Sequence, residues 1–177
     1  MASLASQPLI SEDEFFASYF GQRTEYLNGE LVKKSMIKRL QSRLLVLLVR
    51  LVSDEARLGV QTYVDIAMKV APGRYRAPDL ALVERSSDTG QILTRAPLVT
   101  IEITSDESMS DLMSRVRDHL EMGVKQVVVA DPKSRLVAYA DADQMLTVLS
   151  SPLVVRLRLP GEAIDLDFDD LFSRLGD

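Results

Sequence analysis

The chain has 177 residues, 46% of them hydrophobic, and a formal net charge of −5. That length supports one sizeable core, and no period suggests repeats. The absence of cysteine excludes disulfides and thiolate metal sites. Met1-Ala2-Ser3-Leu4 lacks the basic and apolar segments of a secretory signal. The longest apolar run, Leu44 to Val49, is too short to span a bilayer. The expectation is a cytoplasmic protein with no membrane segment.

The negative charge argues against an indiscriminate nucleic-acid binder, but it is unevenly spread. Between Leu31 and Ser53 stand six basic residues (Lys33, Lys34, Lys38, Arg39, Arg43, Arg50) and no acidic one. From Glu162 onward there are six acidic residues against the single basic Arg174. A globally acidic protein can therefore still turn one basic surface toward a polyanion.

In chain order, residues 1–23 read as a lead-in and a short helix, and residues 24–177 as one domain. Ser11-Glu12-Asp13-Glu14 ahead of Phe15-Phe16 has the form of a capping box. Asn28-Gly29, between Glu25-Tyr26-Leu27 and Glu30-Leu31-Val32, supplies the positive φ angles of a tight type I′ hairpin. Ile37, Leu40, Leu44, Leu47, Leu48 and Leu51 recur at helical spacing, with Arg39, Arg43, Arg50, Asp54 and Arg57 along another face. Gly59 is the expected stop.

Val60 to Val70 reads as one strand running to the turn Ala71-Pro72-Gly73, and Arg74-Tyr75-Arg76 leads into the next. The polar stretch Ser105 to Ser110 precedes a second helix expected over roughly 110–122, which Gly123 stops. Val127 to Ala130 is an apolar strand closed by Asp131-Pro132. Residues 136–140, 145–149 and 153–159 read as later strands, and 168–175 as a closing helix. Strands in series, then helix, then strand predict an α/β domain: a mixed β-sheet flanked by helices.

The chemistry centres on two runs, Ala77-Pro78-Asp79-Leu80-Ala81-Leu82-Val83 and Pro97-Leu98-Val99-Thr100-Ile101-Glu102-Ile103-Thr104. Each carries one carboxylate where the pattern asks for an apolar residue. Paired antiparallel with partner numbers summing to 181, they oppose Asp79–Glu102, Ala81–Thr100 and Val83–Leu98 on one face. The other face is then wholly apolar, with Leu80–Ile101 and Leu82–Val99, and a slip of one residue destroys the partition. Directly opposed Cβ atoms lie roughly 4.5–5.5 Å apart. Two carboxylates that close repel unless a proton or a cation lies between them, which points to a metal site. Glu30, just after the tight turn, is a weaker third candidate. The plainer alternative is that all these carboxylates are solvated or capping.

Tyr26-Leu27-Asn28-Gly29-Glu30-Leu31, Pro78-Asp79-Leu80-Ala81-Leu82-Val83, Ile101-Glu102-Ile103-Thr104-Ser105, Asp111-Leu112, Gly123-Val124 and Val128-Val129-Ala130-Asp131-Pro132 occur in one order. That order resembles the Uma-type family of restriction endonuclease-like proteins, within the PD-(D/E)XK nuclease superfamily, over about residues 24–172. The resemblance implies a restriction-endonuclease-like core, hydrolysis of DNA phosphodiester bonds, and Asp79 and Glu102 as ligands of Mg²⁺ or Mn²⁺. It also implies DNA as partner and a homodimer for cutting duplexes. The superfamily's lysine, two residues after the glutamate, is Thr104 here. The Uma-type pattern places a lysine and a tyrosine on the following helix, where this chain has Arg115 and His119. A histidine at the start of the long helix is replaced, Ile37 being the nearest equivalent.

Phosphodiester hydrolysis needs a cation to activate water and a positive group near the charge of the transition state. Arg115 keeps the lysine's charge but is planar, wider and effectively never deprotonated. Asp111, Arg115 and His119 follow each other at i, i+4 and i+8 and drift slowly around one helix face. Arg115 could donate to the scissile phosphate, or pair with Asp79 or Glu102 and take the cation's place. Asp111 and His119 are accessory candidates, with a surface pair and a packed helical residue as their plainer readings. Lys38, Arg39 and Arg43 are candidate phosphate contacts, or simply a solvated helix face. The first reading is a Mg²⁺-dependent DNA endonuclease, weakened by the loss of the usual lysine. The alternative is a catalytically inactive homologue serving as a nucleic-acid- or protein-binding module, and a third is a structural domain without a ligand.

Overall fold

A computed structural model of the chain describes residues 8–85, 90–104, 106–141 and 145–176. Residues 1–7 of the lead-in, residues 86–89 of the 84–96 loop, Ser105 of the polar stretch and residues 142–144 lie outside them.

Helix α1 (Glu12–Ser18) starts where the capping box puts it, with Ser11 Oγ accepting from the Glu14 amide at 3.1 Å. Its Phe15 packs on Tyr26 and Tyr75, ring centroids 5.2 and 5.8 Å away. Strands β1 (Thr24–Leu27) and β2 (Glu30–Lys33) form the expected hairpin, with φ of 52° at Asn28 and 98° at Gly29. Helix α2 (Arg39–Leu51) buries Leu44, Leu47 and Leu48. It does not run on to Gly59. Asp54 instead caps a separate turn, α3 (Glu55–Leu58), by accepting from the Arg57 amide, and Gly59 closes that turn in the left-handed conformation. Ser53-Asp54 offers the backbone side-chain oxygens, which favours a cap over a helix interior.

The expected strand 60–70 also divides, into β3 (Val60–Val64) and β4 (Met68–Ala71), which belong to different sheets. Asp65 sits at the break with φ 52°, a conformation Asp tolerates better than most side chains. Strand β5 (Arg74–Arg76) joins β1 and β4, giving a four-stranded sheet in the order β2-β1-β5-β4.

The remaining elements are β6 (Leu80–Glu84), β7 (Val99–Ile103), α4 (Met109–Met122), β8 (Gln126–Asp131), β9 (Leu136–Asp141), β10 (Thr147–Val148), β11 (Val154–Leu157), β12 (Ile164–Asp167) and α5 (Phe168–Ser173). The main sheet has the order β10-β9-β8-β7-β6-β3. Strands β7 and β8 run parallel, and α4 supplies the crossover that parallel neighbours require. The α/β fold with a mixed sheet flanked by helices is therefore as expected. The single sheet is not: the small sheet and a β11–β12 ribbon stand apart from it among the described residues. No helix among those residues is long and apolar enough to cross a membrane.

The register of β6 on β7 is Leu80↔Ile101, Ala81↔Thr100 and Leu82↔Val99, each pair summing to 181. Leu80, Leu82, Val99 and Ile101 thereby enter the main core with Leu44 and Leu48 of α2 and Phe168 and Leu171 of α5. Helix α4 covers the opposite side, packing Leu112 and Val116 on Val127 and Val129. The alternation of β7 puts Thr100 and Glu102 on that side.

Candidate active site

Strand β7 is buried along its whole length, and its one charged residue, Glu102, is 2% exposed. A carboxylate so placed needs partners. His119 of α4, fully buried, has Nε2 2.7 Å from Glu102 Oε1. An ionised carboxylate only accepts, so Nε2 is the donor. One turn earlier, Arg115 Nε lies 3.7 Å from Glu102 Oε2, and the same guanidinium pairs with Glu107. Burial pushes the Glu102 carboxyl up, but the His119 hydrogen bond and the charges of Arg115 and Lys34 outweigh it and bring it down to about 2.

Asp79 immediately precedes β6. Its Oδ2 accepts from the Ile103 amide at 2.8 Å, and its Oδ1 lies 3.2 Å from Lys34 Nζ. Lys34 follows β2, where its own amide continues the hairpin by donating to Arg23 O at 2.9 Å. Its side chain is only 6% exposed, and the ammonium donates also to Asp65 Oδ1 at 3.0 Å and Ala77 O at 2.6 Å. Lysine is rarely this buried unless paired. Burial works against the ammonium, yet the charges of Asp79, Glu102 and Asp65 outweigh it and raise its pKa, so Lys34 stays charged. Burial also pushes Asp79 up; Lys34 pulls it back, Glu102 adds to the rise, and the net direction is upward. The asymmetry is physical: the ammonium has three acceptors, whereas the Asp79 carboxylate faces a second carboxylate.

These groups enclose a pocket of about 60 Å³ lined by Lys34, Gln41, Asp79, Glu102, Glu107 and Arg115, among others. That is room for a few water molecules, since roughly 10–15 Å³ of such space already holds one. Gln41 Nε2 donates to Ile103 O at 2.8 Å, so the first turn of α2 closes one side. Among the described residues no group of three or more His, Cys, Asp or Glu is set to hold a metal. Asp79 and Glu102 are the two side chains that could, with waters completing the shell, as hard cations such as Mg²⁺ accept.

The structure thus brings Asp79, Glu102, Arg115 and His119 together. Asp111 stands apart: it is exposed and accepts from Ser108 Oγ at 2.7 Å at the start of α4. Glu30 is exposed opposite Leu27 in the hairpin. Lys38 pairs with Asp106, while Arg39 and Arg43 are exposed on α2. Thr104, at the superfamily's lysine position, is 9% exposed and donates its amide to Ala130 O at 3.0 Å. Sequence reasoning counted Lys34 only as one of a basic run. No local signal could single it out, because its acceptors lie 31, 43 and 45 residues away.

None of the curated proteins matches the chain. Among solved structures, that of "a putative nuclease belonging to DUF820" from Anabaena variabilis is similar at 23% identity and a TM-score of 0.75, covering 94% of this chain and 99% of that one. That likeness bears on the fold. The model of the Uma2 family, described as "Putative restriction endonuclease", matches residues 13–166, from α1 to β12. With more than half of the chain matched and both Asp79 and Glu102 inside that match, the chain belongs to the Uma2 family.

Proposed function

We propose that the chain is a metal-dependent endonuclease that hydrolyses DNA phosphodiester bonds at the Asp79–Glu102 pocket and works in the cytoplasm. One arrangement supports this above all. In a member of the Uma2 family, two carboxylates at the matching ends of β6 and β7 share a pocket with a buried, charged lysine. The donor set suits Mg²⁺ or Mn²⁺, since two carboxylates offer the hard oxygen ligands these ions take. Among the described residues Arg115 Nε, 3.7 Å from Glu102 Oε2, has no hydrogen-bond partner and is left for an anion such as a phosphate oxygen. When bound, such a cation polarises the phosphoryl oxygen and acidifies the attacking water.

The chain's own residues supply the rest. Asp79 and Glu102 would hold the cation; the Ile103 amide orients the first and His119 Nε2 the second. Lys34 takes the part of the missing lysine. It enters the pocket from the end of β2 rather than from β7, and its charge opposes the negative charge that grows on the phosphate. Arg115 is a second cationic group at the same wall. Lys38, just before α2, and Arg39 and Arg43 on it would meet backbone phosphates and position the strand.

A second reading draws on the pairing of Arg115 with Glu107 and of Lys34 with Asp79. Cations already engaged in this way favour a catalytically inactive homologue that binds nucleic acid or protein. Nicking of supercoiled DNA with Mn²⁺ separates the two. The natural protein should nick and Asp79→Ala should not. Lys34→Met should lose about 10²–10³ in rate while keeping its metal-dependent rise in melting temperature. Arg115→Lys, which keeps the charge without the fork, should nick at least as fast as the natural protein. No nicking by any of them, despite bound metal, would favour the binding module.

A further inference from the structure

Two non-glycine residues on neighbouring segments share a left-handed backbone: Arg23 and Asp65, each with φ 52°. That conformation is uncommon for side chains such as Arg and is kept where the surroundings hold it. The two meet. Arg23 has one terminal nitrogen 3.5 Å from Asp65 Oδ2 and the other 3.4 Å from Ser35 O. Both contacts are at the long limit of hydrogen bonding, so the guanidinium is loosely held.

This pair stands between two cavities. Arg23 lines the pocket of Asp79 and Glu102, and both Arg23 and Asp65 line a second cavity that adjoins it. The other oxygen of Asp65 accepts from Lys34, so the partition is shared with the proposed catalytic lysine. The second cavity measures about 170 Å³, and Phe15, Phe20, Ala67 and Tyr75 contribute to its walls. It is smaller than the roughly 300–1,000 Å³ of sites for drug-sized molecules. A single planar ring system is the size it suits. Phe15 and Tyr75 are buried core rings, so the half-buried Phe20 is the aromatic wall that can stack a flat ring. A guanidinium beside a carboxylate offers both donors and an acceptor to a heterocycle's edge.

We propose that this cavity receives a nucleobase of the strand whose phosphate lies at Asp79 and Glu102, so that the substrate is single-stranded or locally unpaired DNA. The inference rests on the nuclease reading above. A base inside a duplex is stacked on both faces and paired along its edge, and it reaches such a cavity only by leaving the helix. Stacking on aromatic rings accepts any base, so the cavity selects for an unpaired nucleotide rather than for a sequence.

The test is fluorescence anisotropy at low salt in EDTA, which prevents cleavage. Three probes are compared: a short labelled single strand, an abasic deoxyribose-phosphate strand of the same length, and the matched duplex. The natural protein should bind the base-bearing strand about tenfold more tightly than the abasic one. Ala67→Leu fills the cavity without removing a packed ring. It should abolish that preference and leave the affinities for abasic strand and duplex unchanged. Phe20→Ala, which removes one wall, should also reduce the preference. Equal binding of the two strands by the natural protein, an undiminished preference in Ala67→Leu, or no binding to any probe would overturn the proposal. If the preference is missing while Mn²⁺-dependent nicking persists, the base cavity is wrong and the nuclease reading stands. If nicking is missing too, both fall.

Discussion

Among the described residues two buried charge clusters stand out, and they are finished differently. In the first, Arg76 engages every nitrogen of its guanidinium: Nε with Asp118 at 2.6 Å, one terminal nitrogen with Glu25 at 2.7 Å, the other with Ser114 Oγ at 2.9 Å. Arg74 donates to both oxygens of Asp118, and the second Glu25 oxygen accepts from the Ala77 amide at 3.1 Å. In the second cluster, around Glu102, three buried polar atoms lack a partner among the described residues: Arg115 Nε, His119 Nδ1 and Thr100 Oγ1. Buried polar groups are almost always satisfied, so an exception calls for an explanation. The first cluster is a lock that ties β1 and β5 to α4. The second has capacity left over, which is what a site for a cation and a phosphate should look like. The lock also serves the site, because it fixes Ala77, whose carbonyl holds Lys34, and Asp118, the neighbour of His119.

The contrast can be broken most plainly by stability. Asp118→Ala leaves two arginines, one of them buried, without their shared carboxylate, and should cost about 3–5 kcal/mol in urea unfolding. Asp79→Ala should cost far less or stabilise, because Lys34 retains Asp65 and Ala77 O, and Asp79 itself is disfavoured by burial and by Glu102. Equal losses would show that the two clusters are not different in kind.

A smaller effect sharpens the comparison within the site, through opposite pH signs. The Glu102 carboxyl lies at about 2 in the folded chain, below its ordinary value of 4.5. Its stabilisation is therefore present above about pH 4.5 and lost as pH falls toward 2. Glu102→Gln should be less stable than the natural protein by up to roughly 3 kcal/mol at pH 7, the gap closing with acid. The folded Asp79 is raised instead, so its contribution is present below the ordinary Asp value and lost as pH rises through the folded one. Measured against the natural protein, Asp79→Asn should accordingly be more favourable at pH 7 than at pH 3. Thermal unfolding of both variants across that range reads the signs.

The smallest effect belongs outside either cluster. Arg39→Gln and Arg43→Gln on α2 should each reduce the log–log salt slope of duplex binding by roughly 0.9, with similar loss on every sequence. Stability should hardly change. An unaltered slope would leave α2 as a solvated face.

How much of this was legible in the sequence follows from how local each cause is. The β6–β7 register was readable because only one pairing keeps Leu80, Leu82, Val99 and Ile101 on one side. The hairpin at Asn28-Gly29 and the caps at Ser11 and Gly123 were readable because each depends on neighbouring residues. The break at Asp65 was hidden by apolar residues on both sides, and the second sheet followed from that break. Strand β12 falls outside the expected elements although Ile164-Asp165-Leu166-Asp167 alternates. His119 was within reach, one helical turn from Arg115, but its complete burial against Glu102 depends on how α4 lies on the sheet. Lys34 and the lock around Arg76 join residues from distant segments, and no local pattern announces them.

The most direct test of the site is a crystal soaked in Mn²⁺ and measured for anomalous scattering. The expected result is a peak between Asp79 and Glu102, touching an oxygen of each, with Lys34 Nζ moved from its 3.2 Å contact with Asp79 Oδ1. A peak elsewhere, or none at a Mn²⁺ concentration that saturates the rise in melting temperature, would contradict it.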